Sequence, residues 1–314
     1  MVNVFNFQRI KRLGSSIVAR AKKISLPFFD GVPLYDVSLF FWKSIVKGSI
    51  STRASGIAFS FFVAFFPSLI FILTLIPYLP IDNDQLLLFI KEIVPESVYP
   101  TIDGTIKDII LIQRGGLTVL GFLMALIFST NGISAMMNAF DATIHSYKRR
   151  TWLGQRLVSV LLIIILSVLL TVTIALLGWG QQLLKFLQDK HILEDQFLYY
   201  LLSVGNWIII VALFFFTYSF LYYMAPAKKT AWRFISAGGT LATILSIITF
   251  AGFGFYINNF SRYNKLYGSI GTLLIILLLI YCMSFILLLG FELNASIQEA
   301  HLNHRKSIIA SGEI

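Results

Sequence analysis

A stripe of polar side chains within an apolar segment is the first place where this sequence could carry out chemistry. Asn131, Ser134, Asn138, Asp141 and His145 follow one another at spacings of 3, 4, 3 and 4. On an α-helix this spacing places all five residues on one face. A polar side chain in hydrocarbon is costly, so we expect this face to meet other helices or water. It is therefore a candidate substrate-binding surface.

Charged residues at the ends of other apolar runs extend this candidate site. Arg53 opens the first long apolar run, and Glu292 and Asn294 close the last one. At about 1.5 Å of rise per residue, they come to a depth similar to that of Asn138 and Asp141. We predict a polar cluster in which Arg53 neutralises Asp141 or Glu292, at the floor of an inward-facing cavity. The alternative is a set of charges that only anchors span ends or locks helices together.

The elements that must position these residues are membrane-spanning helices. The chain is 57% hydrophobic and 13% charged, whereas soluble domains carry about 25% charged residues. A helix needs about 20 mostly apolar residues to cross the hydrocarbon core. The sequence therefore predicts an all-α polytopic bundle with six transmembrane helices, near 56–78, 117–138, 157–178, 199–223, 235–257 and 270–296.

The segments outside these spans have their own patterns. Residues 8–23 and 37–50 are typical of amphipathic or interfacial helices. The outer loop 79–116 has helical apolar spacing over 85–94 and 102–112. We divide the chain into a basic cytoplasmic segment 1–54, a membrane domain 55–298 and a cytoplasmic tail 299–314.

The distribution of positive charge predicts the orientation. With the N-terminus inside, 18 of the 25 Lys and Arg residues fall in cytoplasmic segments, as the positive-inside rule requires. The net charge of +10 is then explained by topology, and no nucleic-acid partner is needed. Both termini are predicted to be cytoplasmic. The basic inner loops at 148–150 and 228–229 could gather anionic lipid head groups.

The sequence argues against an enzyme. Metal-dependent nucleases need clustered His, Asp or Glu, and the chain has four histidines, of which His301 and His304 are interpreted as part of a solvated helix end. The single Cys282 provides neither a disulfide nor a CxxC metal motif. We predict no catalytic residue, no metal and no cofactor. There is also no GxxxxGK[ST] loop, so transport would be ion-coupled, facilitated or driven by a partner.

Four sequence blocks together resemble the YihY/BrkB family of bacterial inner-membrane proteins, once labelled ribonuclease BN. They are Arg53 to Phe59 with Phe65-Phe66-Pro67, Tyr222 to Pro226 with Arg233 and Gly238-Gly239, Phe255-Tyr256 with Tyr263 and Tyr267 to Gly271, and Gly290 to Ala295. The resemblance covers roughly residues 40–300. It implies six spans and an inner-membrane location, and it adds Tyr267 and Gly268 to the positions of interest beside Arg53, Glu292 and Asn294.

Three functions remain open from the sequence. The resemblance implies a role in the envelope but no settled activity, although lipid handling has been suggested for the family. We favour a transporter or flippase-like protein for envelope lipids or another amphipathic or anionic substrate. The alternative is a non-catalytic scaffold that binds envelope proteins or a second copy of itself. The ribonuclease of the old label is the least favoured function.

Overall fold

The structure is a computed structural model. It describes residues 24–25, 28–29, 31–78, 114–143, 150–189, 196–227, 235–259 and 261–311, with a few isolated residues between 87 and 108. The N-terminal segment 8–23, the short helices expected at 85–94 and 102–112, His145 and the basic loops 148–149 and 228–229 lie outside the described residues.

The described chain folds into seven α-helices. These are α1 (Leu34–Lys47), α2 (Ile50–Leu75), α3 (Gly115–Asp141), α4 (Trp152–Asp189), α5 (Gln196–Met224), α6 (Ala237–Asn259) and α7 (Ser261–Ser311), with a 3-10 turn at Ile76–Tyr78. Six of them contain segments long and apolar enough to cross a membrane: Ile50–Leu75, Gly115–Asp141, Trp152–Leu176, Tyr200–Met224, Ala237–Ile257 and Leu273–Lys306. The prediction of an all-α bundle with six spans is confirmed.

The six spans pack as a ring in chain order. Each of α2 to α6 contacts the next helix along the chain, and α7 closes the ring by packing against both α6 and α2. The contact between α2 and α3 is the most extensive. Because successive spans run in opposite directions, α2, α4 and α6 begin at the same end of the bundle. We call this end, at which α3 and α5 finish, the Arg53 end, and the opposite end the Tyr78 end.

The packed core lies toward the Arg53 end. Its largest fully buried side chains include Phe140, Met136, Met137, Leu162 and Leu288. Phe140 stacks on Phe291 with ring centroids 4.2 Å apart. Large apolar side chains are exposed along much of α3, α4 and α5, as expected for spans whose outer faces meet hydrocarbon. The largest buried side chains are therefore concentrated at the Arg53 end.

Helix boundaries differ from the predictions in two places. The helix α2 continues through Pro67 and ends at Leu75, just before Pro77. The sequence pattern, rich in Tyr, Asn and Gly, predicts an outer loop with a reentry at 258–269, but the described residues there are helical: α6 extends to Asn259 and α7 begins at Ser261. That expectation is wrong. The helix α7 has 51 residues, about 75 Å at 1.5 Å per residue, and it passes through residue 299 without a break.

The helix α1 covers residues 37–47 of the predicted interfacial segment 37–50 and packs on the part of α7 beyond Glu292. Val32 and Val37 on the N-terminal side form a second apolar cluster with Ile297 and Ala300 of α7. A short turn at Gly48 and Ser49 then separates α1 from α2, with Ser49 at a φ of 50°. The part of α7 beyond Glu292 therefore holds the N-terminal region against the bundle.

Candidate functional site

A buried ion pair connects three helices at the Arg53 end. One guanidinium nitrogen of Arg53 (Nη2) donates to Oε1 of Glu292. The other (Nη1) donates to the carbonyl oxygen of Ala139 at 2.8 Å and to the hydroxyl of Thr143. Thr143 in turn donates to Oε1 of Glu292 at 2.8 Å. The side chain of Glu292 is 1% exposed and that of Arg53 is 13% exposed. Of the two carboxylates that the sequence offered to Arg53, the structure selects Glu292.

The backbone around this pair explains its position. Arg53 lies in the first turn of α2, directly after the turn at Gly48 and Ser49. A Cβ at Gly48 would come within 3.1 Å of Nη2 of Arg53 and within 2.2 Å of the carbonyl oxygen of Ser44. A glycine at this position therefore leaves room for the guanidinium. Thr143 lies two residues after the end of α3. The site therefore combines the end of the α3 span with the start of the α2 span.

The hydrogen bonding of the pair is incomplete. Oε2 of Glu292, Nε of Arg53 and the hydroxyl of Ser296 are buried and have no hydrogen-bond partner among the described residues. Ser296 lies one turn after Glu292 on α7, so the two side chains share a face. A buried polar atom without a partner costs about 1–3 kcal/mol, and more when it is charged. These three atoms therefore leave unused hydrogen-bonding capacity beside the ion pair.

Asn294 connects α7 to the start of α6. Its Oδ1 accepts from the backbone N–H of Gly238 at 2.8 Å, and its Nδ2 donates to the hydroxyl of Ser236 at 3.1 Å. The helices nearly touch here, because a Cβ at Gly238 would lie 1.9 Å from the carbonyl oxygen of Gly290. Near the same crossing, the hydroxyl of Tyr222 on α5 donates to the carbonyl oxygen of Leu287 on α7 at 2.9 Å. Asn294 therefore fixes a helix contact beside the ion pair.

Asp141 takes part in a different contact. Its Oδ1 accepts from the backbone N–H of Ala227 at 2.8 Å, just after α5. Arg150 donates to the carbonyl oxygens of Met224, Ala225 and Pro226 at 2.7 to 3.1 Å. Partial burial lowers the pKa of Arg150 from its ordinary value, while the charge of Asp141 acts in the opposite direction. These residues tie the loop after α3 to the end of α5.

Asn131 and Asn138 face α4. The Oδ1 of Asn138 accepts from Gln155 at 3.2 Å, and that of Asn131 accepts from Arg156 at 2.7 Å. Between them, the hydroxyls of Ser134 and Ser159 are 3.1 Å apart. The predicted stripe therefore does meet another helix. However, the four residues expected to line one cavity have partners in three different places. Asn131 and Asn138 contact α4, Asp141 contacts the segment after α5, and Glu292 on α7 contacts Arg53.

The predicted residues Tyr267 and Gly268 lie in the first part of α7, of which the structure describes the backbone. Their backbone is helical, which is the correction to the expected loop. His301 and His304 are exposed on α7. The described residues contain no group of three or more His, Cys, Asp or Glu that could hold a metal ion.

Sequence reasoning missed three residues of this region. Thr143 bridges both partners of the ion pair, and no sequence signal distinguishes it from any loop threonine. Ser296 could have been found from its spacing of four residues after Glu292. Arg156 was counted as a loop residue because the third span was placed at 157–178, whereas α4 begins at Trp152.

With this geometry in place, comparisons with known proteins identify the family. The family described as virulence factor BrkB matches residues 41–311. The chain belongs to this family. The match includes all the residues of the ion pair and of the crossing between α6 and α7.

Individual relatives of this BrkB-family chain carry different names. A ribonuclease-like protein, YfkH of Bacillus subtilis, is 30% identical over 78% of this chain and 88% of its own length. A membrane protein of Tolumonas auensis named UPF0761 is 24% identical over 85% of this chain and 86% of its own length. Another UPF0761 membrane protein, from Haemophilus influenzae, is 20% identical over 85% of this chain and 97% of its own length. No solved structure matches the chain. The fold and these relatives make it a multi-pass membrane protein.

Proposed function

We propose that this protein is a transporter or flippase-like protein of the bacterial inner membrane, which moves envelope lipids or another amphipathic or anionic substrate. The Arg53 end faces the cytoplasm, and both termini lie on that side. The proposal gives the protein no catalytic residue, cofactor or metal. It assigns the working centre to Arg53 and Glu292.

The observation that carries the proposal is the incompletely bonded ion pair. A buried pair that serves only stability gains from full hydrogen bonding, because desolvation of the charges otherwise outweighs their attraction. Here Oε2 of Glu292 and Nε of Arg53 have no hydrogen-bond partner within the described part of the chain. Ionisable groups inside spans are costly, and in membrane proteins they commonly mark substrate or ion pathways. If Arg53 and Glu292 change hydrogen-bond partners between two conformations, some of their polar atoms lack partners in one of them. The conformation described here would be that one.

The aromatic packing at the Arg53 end supports the same function. A transporter that works by alternating access closes one side of its binding site at a time. Phe140, Tyr222 and Phe291 pack around one another at the Arg53 end, and the ion pair lies at the same end. On this proposal the structure is a state closed toward the cytoplasm, and movement would require the Arg53–Glu292 pair to separate.

The test is a reconstitution experiment. Purified protein is placed in vesicles that contain a trace of head-group-labelled fluorescent phosphatidylglycerol, and dithionite is added to destroy the dye in the outer leaflet. We expect protein-containing vesicles to lose nearly all fluorescence, whereas empty vesicles keep the inner-leaflet fraction. A parallel assay follows efflux of a trapped soluble organic anion. Absence of movement in both assays, with protein shown to be folded by its thermal unfolding, would refute the proposal.

One observation favours the scaffold as a second candidate. The helix α7 extends beyond the bundle and holds α1 through Val32, Val37, Ile297 and Ala300, which makes a platform outside the spans. Removing residues 1–35 would delete Val32 from this cluster and disturb the fold. The test therefore removes only residues 1–23, which contain no residue of the cluster. A scaffold that docks through its basic N-terminus would lose function in cells with this truncation, while lipid movement in vesicles would not change.

A further inference from the structure

Arg156 carries its charge toward the middle of the membrane span. It lies one turn after Trp152, the first residue of α4, and its Nη1 donates to Oδ1 of Asn131 at 2.7 Å. In a helix the Cα–Cβ bond tilts toward the N-terminus, which for α4 is the Arg53 end. Long basic side chains near span ends usually extend toward the nearer interface. The Arg156 side chain therefore points into the span, whereas the tilt of its Cα–Cβ bond and the usual behaviour of basic side chains both favour the Arg53 end.

The register of α3 and α4 measures this displacement. Ser134 contacts Ser159, and Asn138 contacts Gln155. The helices α3 and α4 are therefore antiparallel, and these two pairs fix which residues lie at the same level. On this register Arg156 lies level with residue 137 of α3. Its partner Asn131 is six residues further into the span, about 9 Å at 1.5 Å per residue. The guanidinium of Arg156 therefore lies deeper in the span than the backbone of Arg156 does.

The held charge has spare hydrogen-bonding capacity. A guanidinium has five N–H donors in a planar fork, and the described structure uses Arg156 in the single bond to Asn131. No carboxylate of the described residues forms an ion pair with it. The Arg156 side chain is partly exposed and Asn131 is exposed, so the remaining donors face the surface of the bundle. Helix contact alone does not require this charge, because the Ser134–Ser159 and Asn138–Gln155 pairs already join α3 to α4.

We propose that Arg156, held by Asn131, is a binding site for a phosphate group carried by a membrane lipid. The guanidinium fork matches phosphate oxygens with two parallel hydrogen bonds. Trp152 lies four residues before Arg156 on the same face of α4 and is 77% exposed, as a side chain at the head-group level would be. The site lies deeper than this tryptophan and draws the head group below its usual plane. It would exist on a scaffold as well as on a transporter.

The experiment measures lipid binding by the purified full-length protein in detergent. Phosphatidylglycerol is titrated in, and the bound lipid is counted by native mass spectrometry. We expect Arg156→Gln to weaken binding about tenfold, the loss of one charge-assisted contact, and Arg156→Lys to weaken it less. The matched control, Arg305→Gln, removes the same charge from the exposed tail of α7 and should leave the affinity unchanged.

The other arms decide the source of the phosphate and guard against misfolding. Displacement of the lipid by inorganic phosphate that depends on Arg156 supports the site and extends it to free phosphate. Lack of displacement supports an intact lipid as the ligand. If Arg156→Gln does not fold, Asn131→Leu, which releases the guanidinium, should weaken binding in its place.

Equal affinity in the wild type and the folded site variants would overturn the proposal, and so would an equal loss in Arg305→Gln. Arg156-dependent binding without movement in either vesicle assay would keep this site and remove the transporter, so the two failures are distinguishable.

Discussion

At the scale of single residues, the pairing of Arg53 with Glu292 has an energetic consequence that can be measured. Replacing Glu292 by Ala leaves a buried guanidinium without its counter-charge. Breaking a buried pair in this way costs about 3–5 kcal/mol. We expect a large drop in the thermal unfolding temperature of the purified protein. Glu299→Ala is the matched control, because Glu299 is exposed seven residues further along the same helix. Similar unfolding temperatures for the two variants would contradict the pairing.

The choice of partner for Arg53 shows where residue-level prediction stops. The cost of charge in hydrocarbon was enough to bring Arg53, Asp141 and Glu292 to one end of the bundle. It could not choose between the two carboxylates, because that depends on how α3 is rotated about its axis. The rotation directs Asp141 toward the backbone N–H of Ala227. Thr143, which bridges the pair, depends on how α3 ends and was outside the reach of any spacing rule.

At the scale of elements, the crossing of α6 and α7 requires glycine on both sides. We expect Gly238→Ala to force these helices apart and to lower stability by about 1–3 kcal/mol, the usual cost of overpacking. Gly252 on the same helix has no atom within 4 Å of a built Cβ, so Gly252→Ala should be neutral or slightly stabilising. Thermal unfolding of both variants is the measurement. Equal effects would mean that the close approach at Gly238 does not exist.

Apolar runs predicted the spans well but not the helices that contain them. Hydropathy marks the part of a helix that hydrocarbon requires to be apolar, and this gave six correct spans. A helix also continues wherever its backbone bonds can form, whatever its side chains are. The polar residues around Tyr267 therefore suggested a loop where α7 is helical, and the 51 residues of α7 could not be read from a run of about 25 apolar ones.

At the scale of the whole molecule, the charge asymmetry predicts the orientation. Cys282 is the only cysteine, so Cys282→Ser gives a background for single-cysteine labelling. A membrane-impermeant maleimide applied to intact spheroplasts should label Gly116→Cys, which is exposed at the Tyr78 end, and should not label Arg305→Cys on the tail of α7. Inverted vesicles should give the opposite pattern. Labelling of Arg305→Cys from outside the cell would reverse the proposed topology.

The central claim is that Arg53 and Glu292 do more than hold the bundle together, and one double variant separates these roles. Replacing a buried ion pair by apolar residues of similar volume is often neutral or stabilising, so Arg53→Met with Glu292→Leu should give a folded protein with an unfolding temperature near that of the wild type. In the fluorescent-lipid vesicle assay, we predict that this folded double variant moves no substrate. Movement at the wild-type rate would show that the pair is structural, and the proposed working centre would be wrong.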